Sequence, residues 1–132
     1  MGIKKKPCIL AVDDVSVVLN AIIDALHPHY DVFALSKAKQ VGVFLQTHKP
    51  DLFILDIEMP EMNGYELIDS IRKHPDHKDT PVIFLTGNAT IKHFQNSIEY
   101  GVADFIAKPV DPAELRKRVQ SKIDPKTAKP KG

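Results

Sequence analysis

Apolar residues fall into short runs along the chain, separated by stretches in which they recur every three or four positions. The runs are "CILAV" (8–12), "DVFAL" (31–35), "DLFIL" (51–55), "PVIFL" (81–85) and "DFIA" (104–107). Most are nearly continuous in apolar residues, the pattern of strands covered on both faces. Between them the spacing is helical. Val18, Ile22, Ala25 and Leu26 define a first helix, ended by His27-Pro28. Val41, Phe44 and Leu45 give the apolar face of a second over 37–48, with Pro50 just beyond. Asn63 with Glu66 three residues on predicts a capping box that opens a third helix, whose Leu67, Ile68 and Ile71 face the core. A fourth follows Thr90, with Ile91, Phe94 and Ile98 in one stripe and Gly101 as its stop. The fifth has Asp111 as cap, Pro112 in its first turn and Glu114 at its third position, and its stripe is Leu115, Val119 and Ile123.

A βα unit repeated five times predicts an α/β domain, a parallel sheet with helices on both faces. The 132 residues suit one such domain with a substantial core. We place it at 7–123, after a flexible lead-in at 1–6. From Asp124 the Pro- and Lys-rich "DPKTAKPKG" has no apolar period and reads as a disordered tail or linker stub. The formal net charge of +1 gives no reason to expect nucleic-acid binding. No apolar stretch is long enough to span a bilayer, and the start is not a signal peptide. The single cysteine, Cys8, allows no intrachain disulfide, which points to a cytoplasmic home and a small buried thiol.

Ligands of open parallel α/β sheets bind outside the carboxyl ends of the strands. Those ends carry Asp13-Asp14, Asp56, Thr86 with Gly87-Asn88, and Lys108-Pro109. Each alone has an ordinary explanation: aspartates cap helices, threonine favours strands, and a lysine is usually solvated. Together they differ. Clustered carboxylates repel unless a cation or a lysine compensates, oxygen ligands suit Mg²⁺, and a lysine and a hydroxyl beside a metal suit phosphoryl oxygens.

The set "AVDD", "LDIEMPEMNGYEL", "VIFLTGNA" and "DFIAKPV" resembles the receiver domain of two-component response regulators, over about 7–123. The resemblance implies a flavodoxin-like, doubly wound five-stranded parallel sheet in the order 2-1-3-4-5, with five helices. It implies that Asp56 is the phosphoacceptor and that Asp13 and Asp14 are the acidic pair that holds Mg²⁺ (or Mn²⁺), with Asp14 and Asp56 as the direct ligands and the backbone carbonyl of Glu58 as another. It implies that Thr86 turns its hydroxyl to one phosphoryl oxygen and Lys108 pairs with another, aimed by a cis bond before Pro109. Phe105 takes the switch-aromatic position without a hydroxyl, or is a plain core strand residue. Glu58 and Asn88 tune the lifetime of the acyl phosphate, or are solvated loop residues. The implied partners are a histidine kinase or a histidine phosphotransfer protein, with an output protein or domain the sequence does not name. The implied role is a signalling module rather than a turnover enzyme.

Lys92, His93, Arg116, Lys117 and Arg118 read by spacing as a solvated charged face, on the surface such domains use for partners. His74 and His77 flank Pro75 on a helix-to-strand connection and read as surface loop residues rather than a metal pair. A haloacid-dehalogenase-type phosphatase would also use a strand-end aspartate, but Glu58 is followed by Met59-Pro60 and no cap domain fits the length. A flavin binder would put its phosphate loop after the first strand, where two acids stand. A pseudo-receiver would lack some of the chemical positions, all of which are filled.

Overall fold

A computed structural model describes residues 6–123; the predicted tail at 124–132 and nearly all of the lead-in lie outside the described residues. The strands are β1 (Cys8–Val12), β2 (Asp31–Leu35), β3 (Leu52–Leu55), β4 (Val82–Thr86) and β5 (Asp104–Ala107). All pair in parallel, in the order β2-β1-β3-β4-β5. The helices are α1 (Ser16–Leu26), α2 (Val41–Phe44), α3 (Gly64–Arg72), α4 (Ile91–Glu99) and α5 (Pro112–Lys122).

Strand alternation splits the apolar residues into two cores. Ile9 and Ala11 of β1, Leu52 and Ile54 of β3, Ile83 and Leu85 of β4 and Ile106 of β5 point to one side. There they meet Leu19, Ile22 and Leu26 of α1 and Leu115 and Val119 of α5. Leu10, Val12, Phe53, Leu55, Val82 and Phe84 point to the other, against Val41 of α2 and Leu67, Ile68 and Ile71 of α3. A central strand therefore buries every residue, which is why β3 and β4 read as unbroken apolar runs.

Local chemistry fixes the helix ends. Asn63 accepts a hydrogen bond from the Glu66 amide at 2.9 Å and Glu66 accepts one from the Asn63 amide at 2.9 Å, the reciprocal box its spacing predicts. Asp111 accepts from the amides of Ala113 and Glu114, and Thr90 from that of His93. Gly101, just past α4, has φ +70, a left-handed conformation that a residue with a Cβ rarely adopts.

Three expectations are corrected, and one stripe is left uncovered. The second helix is not one segment over 37–48: a 3₁₀ turn at Ala38–Gln40 leads into a four-residue α2. Gly42 lies inside it between β-branched Val41 and Val43, all poor helix formers. The α4 stripe does not face a core: Ile91, Phe94 and Ile98 are exposed, and the one buried α4 residue is Ser97. His77 is no surface residue; it is buried, edge-on to Phe53 at 5.2 Å, with Nδ1 2.9 Å from Thr80 Oγ1. Cys8 is half-buried rather than buried; burial and the carboxylates of Asp51 and Asp31 push its thiol up to about 11, so it stays protonated.

Candidate functional site

The sheet's own hydrogen bonds bring the strand-end residues together. The Asp13 amide donates to Leu35 O at the end of β2, and the Asp56 amide donates to Val12 O at the end of β1. Thr86 pairs in register with Ala107, and the Lys108 amide donates to Thr86 O at 2.8 Å. The peptide bond between Lys108 and Pro109 is cis. Asp13, Asp56 and Thr86 are buried, while Asp14 is exposed.

Lys108 Nζ lies 2.8 Å from Asp13 Oδ2 and 3.4 Å from Asp56 Oδ2. Burial alone would lower the lysine's proton affinity, but the Asp13 and Asp56 carboxylates outweigh it and hold the ammonium above its ordinary range. Asp56 is shifted upward as well, which for a carboxylate disfavours the charged form. Burial, then the neighbouring Asp13 charge, push it up to about 6 against the pull of Lys108. One lysine thus does not neutralise the acidic cluster.

Asp13, Asp14 and Asp56 each offer a carboxylate oxygen, and these lie within 4.8 Å of one another. Asp13 Oδ1 accepts from the Val15 amide, whereas Asp13 Oδ2 is buried with no directed hydrogen bond, only the lysine charge beside it. An all-oxygen cluster of three carboxylates with a single lysine beside it fits a hard divalent cation such as Mg²⁺. The aspartates do not cap α1: its N-cap is Val15, with no side-chain cap.

The loop after β3 is held closely. The Gly64 amide donates to Ile57 O at 2.7 Å, and a Cβ built on Gly64 would stand 2.6 Å from Asp56 O and 2.9 Å from Ile57 Cα. Both neighbours are backbone and cannot swing aside, so glycine is required for α3 to start directly beneath Asp56. The close approach is set by chain distant in sequence, so no local pattern around Gly64 announces it.

Glu58 and Asn88 do not stand apart in solvent. Asn88 Nδ2 donates to Glu58 Oε2 at 2.7 Å, and His93 Nε2 lies 3.3 Å from that oxygen. These two bonds hold the Glu58 carboxyl below its usual range. The Tyr65 hydroxyl is 2.7 Å from His93 Nδ1, and the Asn88 amide donates to Thr86 Oγ1 at 3.1 Å. His93 therefore leaves the predicted charged face, and so does Arg118, which pairs with Asp104 at 2.5 Å and Glu114 at 2.6 Å. Phe105 is half-buried and meets Phe94 edge-on at 5.6 Å.

Comparison with known proteins agrees with this fold. Residues 9–120 match the family described as "Response regulator receiver domain". A probable cyclic di-GMP phosphodiesterase of Vibrio cholerae is 36% identical over 92% of this chain and 27% of its own length. A cyclic di-GMP phosphodiesterase response regulator of Xanthomonas campestris is 34% identical over 83% of this chain and 30% of its own. The chain thus spans less than a third of the length of these relatives. Among solved structures, a chemotaxis response regulator of Vibrio cholerae superposes with a TM-score of 0.82 at 26% identity, covering 90% of this chain and 100% of that one. A response regulator from Desulfuromonas acetoxidans gives 0.77 at 36% identity, covering 87% and 94%. The receiver domain of a sensor histidine kinase from Pseudomonas aeruginosa, solved with a magnesium ion coordinated in its active site cleft, gives 0.79 at 28%, covering 89% and 98%. This chain belongs to the response regulator receiver domain family.

Proposed function

We propose that the domain accepts a phosphoryl group on Asp56 from a histidine kinase or a histidine phosphotransfer protein, and so switches the binding of an output protein or domain. The observation that carries this reading is the meeting of Asp13, Asp14 and Asp56 with Lys108 and Thr86 at one sheet edge. An Asp56 carboxylate oxygen attacks phosphorus, the bond from phosphorus to the donor nitrogen breaks, and the imidazole leaves with that electron pair. The product is an acyl phosphate. Asp13, Asp14, Asp56 and the Glu58 carbonyl would hold Mg²⁺, which offsets charge on the transferred group. Lys108, which bridges Asp13 and Asp56, would meet one phosphoryl oxygen, and Thr86 Oγ1 would donate to another.

Phosphodiesterase activity belongs to the named relatives, whose length is mostly outside the region shared with this chain. No helix among the described residues is long and apolar enough to cross a membrane, and the cytoplasm is the compartment we propose.

Incubation with acetyl phosphate and Mg²⁺, read by intact mass, tests the proposal. The expected result is a gain of one phosphoryl mass that disappears with chelator and in Asp56→Asn. An unchanged mass in the wild type with Mg²⁺ would sink the reading, and sustained release of phosphate from phosphate esters would favour a phosphatase instead.

A further inference from the structure

A chain of hydrogen bonds leaves the site and enters two helices. It begins at Thr86 Oγ1, which accepts from the Asn88 amide at 3.1 Å. The Asn88 side chain donates to Glu58 Oε2 at 2.7 Å, and the same oxygen faces His93 Nε2 at 3.3 Å. Across the ring, His93 Nδ1 meets the Tyr65 hydroxyl at 2.7 Å. A neutral imidazole with its proton on Nε2 satisfies both contacts, donating to Glu58 and accepting from tyrosine. Tyr65 stands on α3, where its ring lies 4.9 Å from that of Tyr100 and 5.4 Å from that of Phe84. Burial keeps its hydroxyl protonated and thus a donor.

Two features single out this chain of bonds. Phe105 on β5 has no hydroxyl, so that position offers the Thr86 loop no hydrogen bond. And α4 contributes little to either core: its buried residue is Ser97, while His93 is half-buried by its contacts with Glu58 and Tyr65. When the Thr86 hydroxyl turns to a new acceptor, the oxygen used by the Asn88 amide moves with it, and the Asn88 side chain is tied to Glu58.

We propose that His93 and Tyr65 are positioning residues through which the state of Asp56 acts on α4, by way of Thr86, Asn88 and Glu58. The proposal rests on the phosphoacceptor reading. Each state of the site would select its own arrangement of these bonds, and a partner held by α4 would act back on the site by the same coupling.

The test loads the full chain with beryllofluoride and Mg²⁺. The ¹⁹F resonance of bound beryllofluoride reports loading. The loaded-minus-unloaded amide shifts at 91–95 and the Tyr65 ring shifts report coupling. In His93→Leu the ring contacts are lost and these differences fall by at least half, while those at 86–88 persist. In His93→Gln, whose amide can donate to Glu58 and accept from Tyr65, they return. Undiminished differences in His93→Leu overturn the proposal. So does a His93→Gln response as weak as that of His93→Leu, which would mark a merely structural side chain. A His93→Leu protein that no longer loads also overturns it, by making His93 part of the site rather than of its outlet. A wild type without a bound ¹⁹F signal overturns the phosphoacceptor reading itself.

Discussion

Helices α4 and α5 look alike in sequence and behave differently in the fold. Each carries a polar N-cap and an apolar stripe at helical spacing. The stripe of α5 is buried, with Leu115 and Val119 packed against the core that α1 shares. The stripe of α4 is open: Ile91 is 78% exposed, Phe94 49% and Ile98 63%. Periodicity marks a face; it does not say what covers that face. In α5 the stripe supplies stability, while α4 is held by its cap, by Ser97 and by the contacts of His93.

The comparison breaks most easily at the buried stripe. Leu115→Ala should lower unfolding free energy by about 2–5 kcal/mol, as core truncations do. Ile98→Ala, read by the same denaturant titration, should change it by no more than about 0.5 kcal/mol. Equal costs would mean that α4 is covered after all.

The caps give the next effect. Asp111→Ala and Thr90→Ala each remove a side-chain acceptor, worth about 1 kcal/mol to its helix. Hydrogen exchange should separate them. Thr90→Ala should speed exchange locally in α4, because little packing holds that helix, whereas Asp111→Ala should act through global stability.

A third region, on neither helix, responds to acid through His77. Burial lowers the pKa of His77 below the ordinary 6.5. As pH falls the unfolded chain therefore takes up its proton first, so stability is complete above about 6.5 and declines as pH drops toward the lowered folded value. Melting temperature against pH should show this decline in the wild type and a shallower one in His77→Phe. Identical slopes would remove His77 as its source.

The smallest expected effect is that of Ile98→Lys, which should leave melting temperature nearly unchanged while raising solubility. A large drop would show that the stripe is buried against something within the chain.

The sheet was legible because its central strands are apolar at every position, a consequence of being covered on both sides. The caps were legible because Asn63 with Glu66, and Asp111 with Pro112, act within one turn. The acidic cluster was legible because each member ends a strand. What could not be read depends on residues far apart in the chain. Glu58 and Asn88 come from two loops and Tyr65 and His93 from the helices that follow them, and nothing in their spacing announces a shared bond network. The burial of His77 depends on Phe53, a strand away. The exposure of α4 depends on what no part of the described chain supplies.

Gly64 carries a consequence for anyone who would transplant this acidic edge into another scaffold. Copying Asp13, Asp14, Asp56, Thr86 and Lys108 would leave out a residue with no side chain to notice. A Cβ at Gly64 would stand 2.6 Å from the Asp56 carbonyl oxygen. A graft that keeps every reactive group and puts alanine there would push apart the two backbone segments on which Asp56 rests.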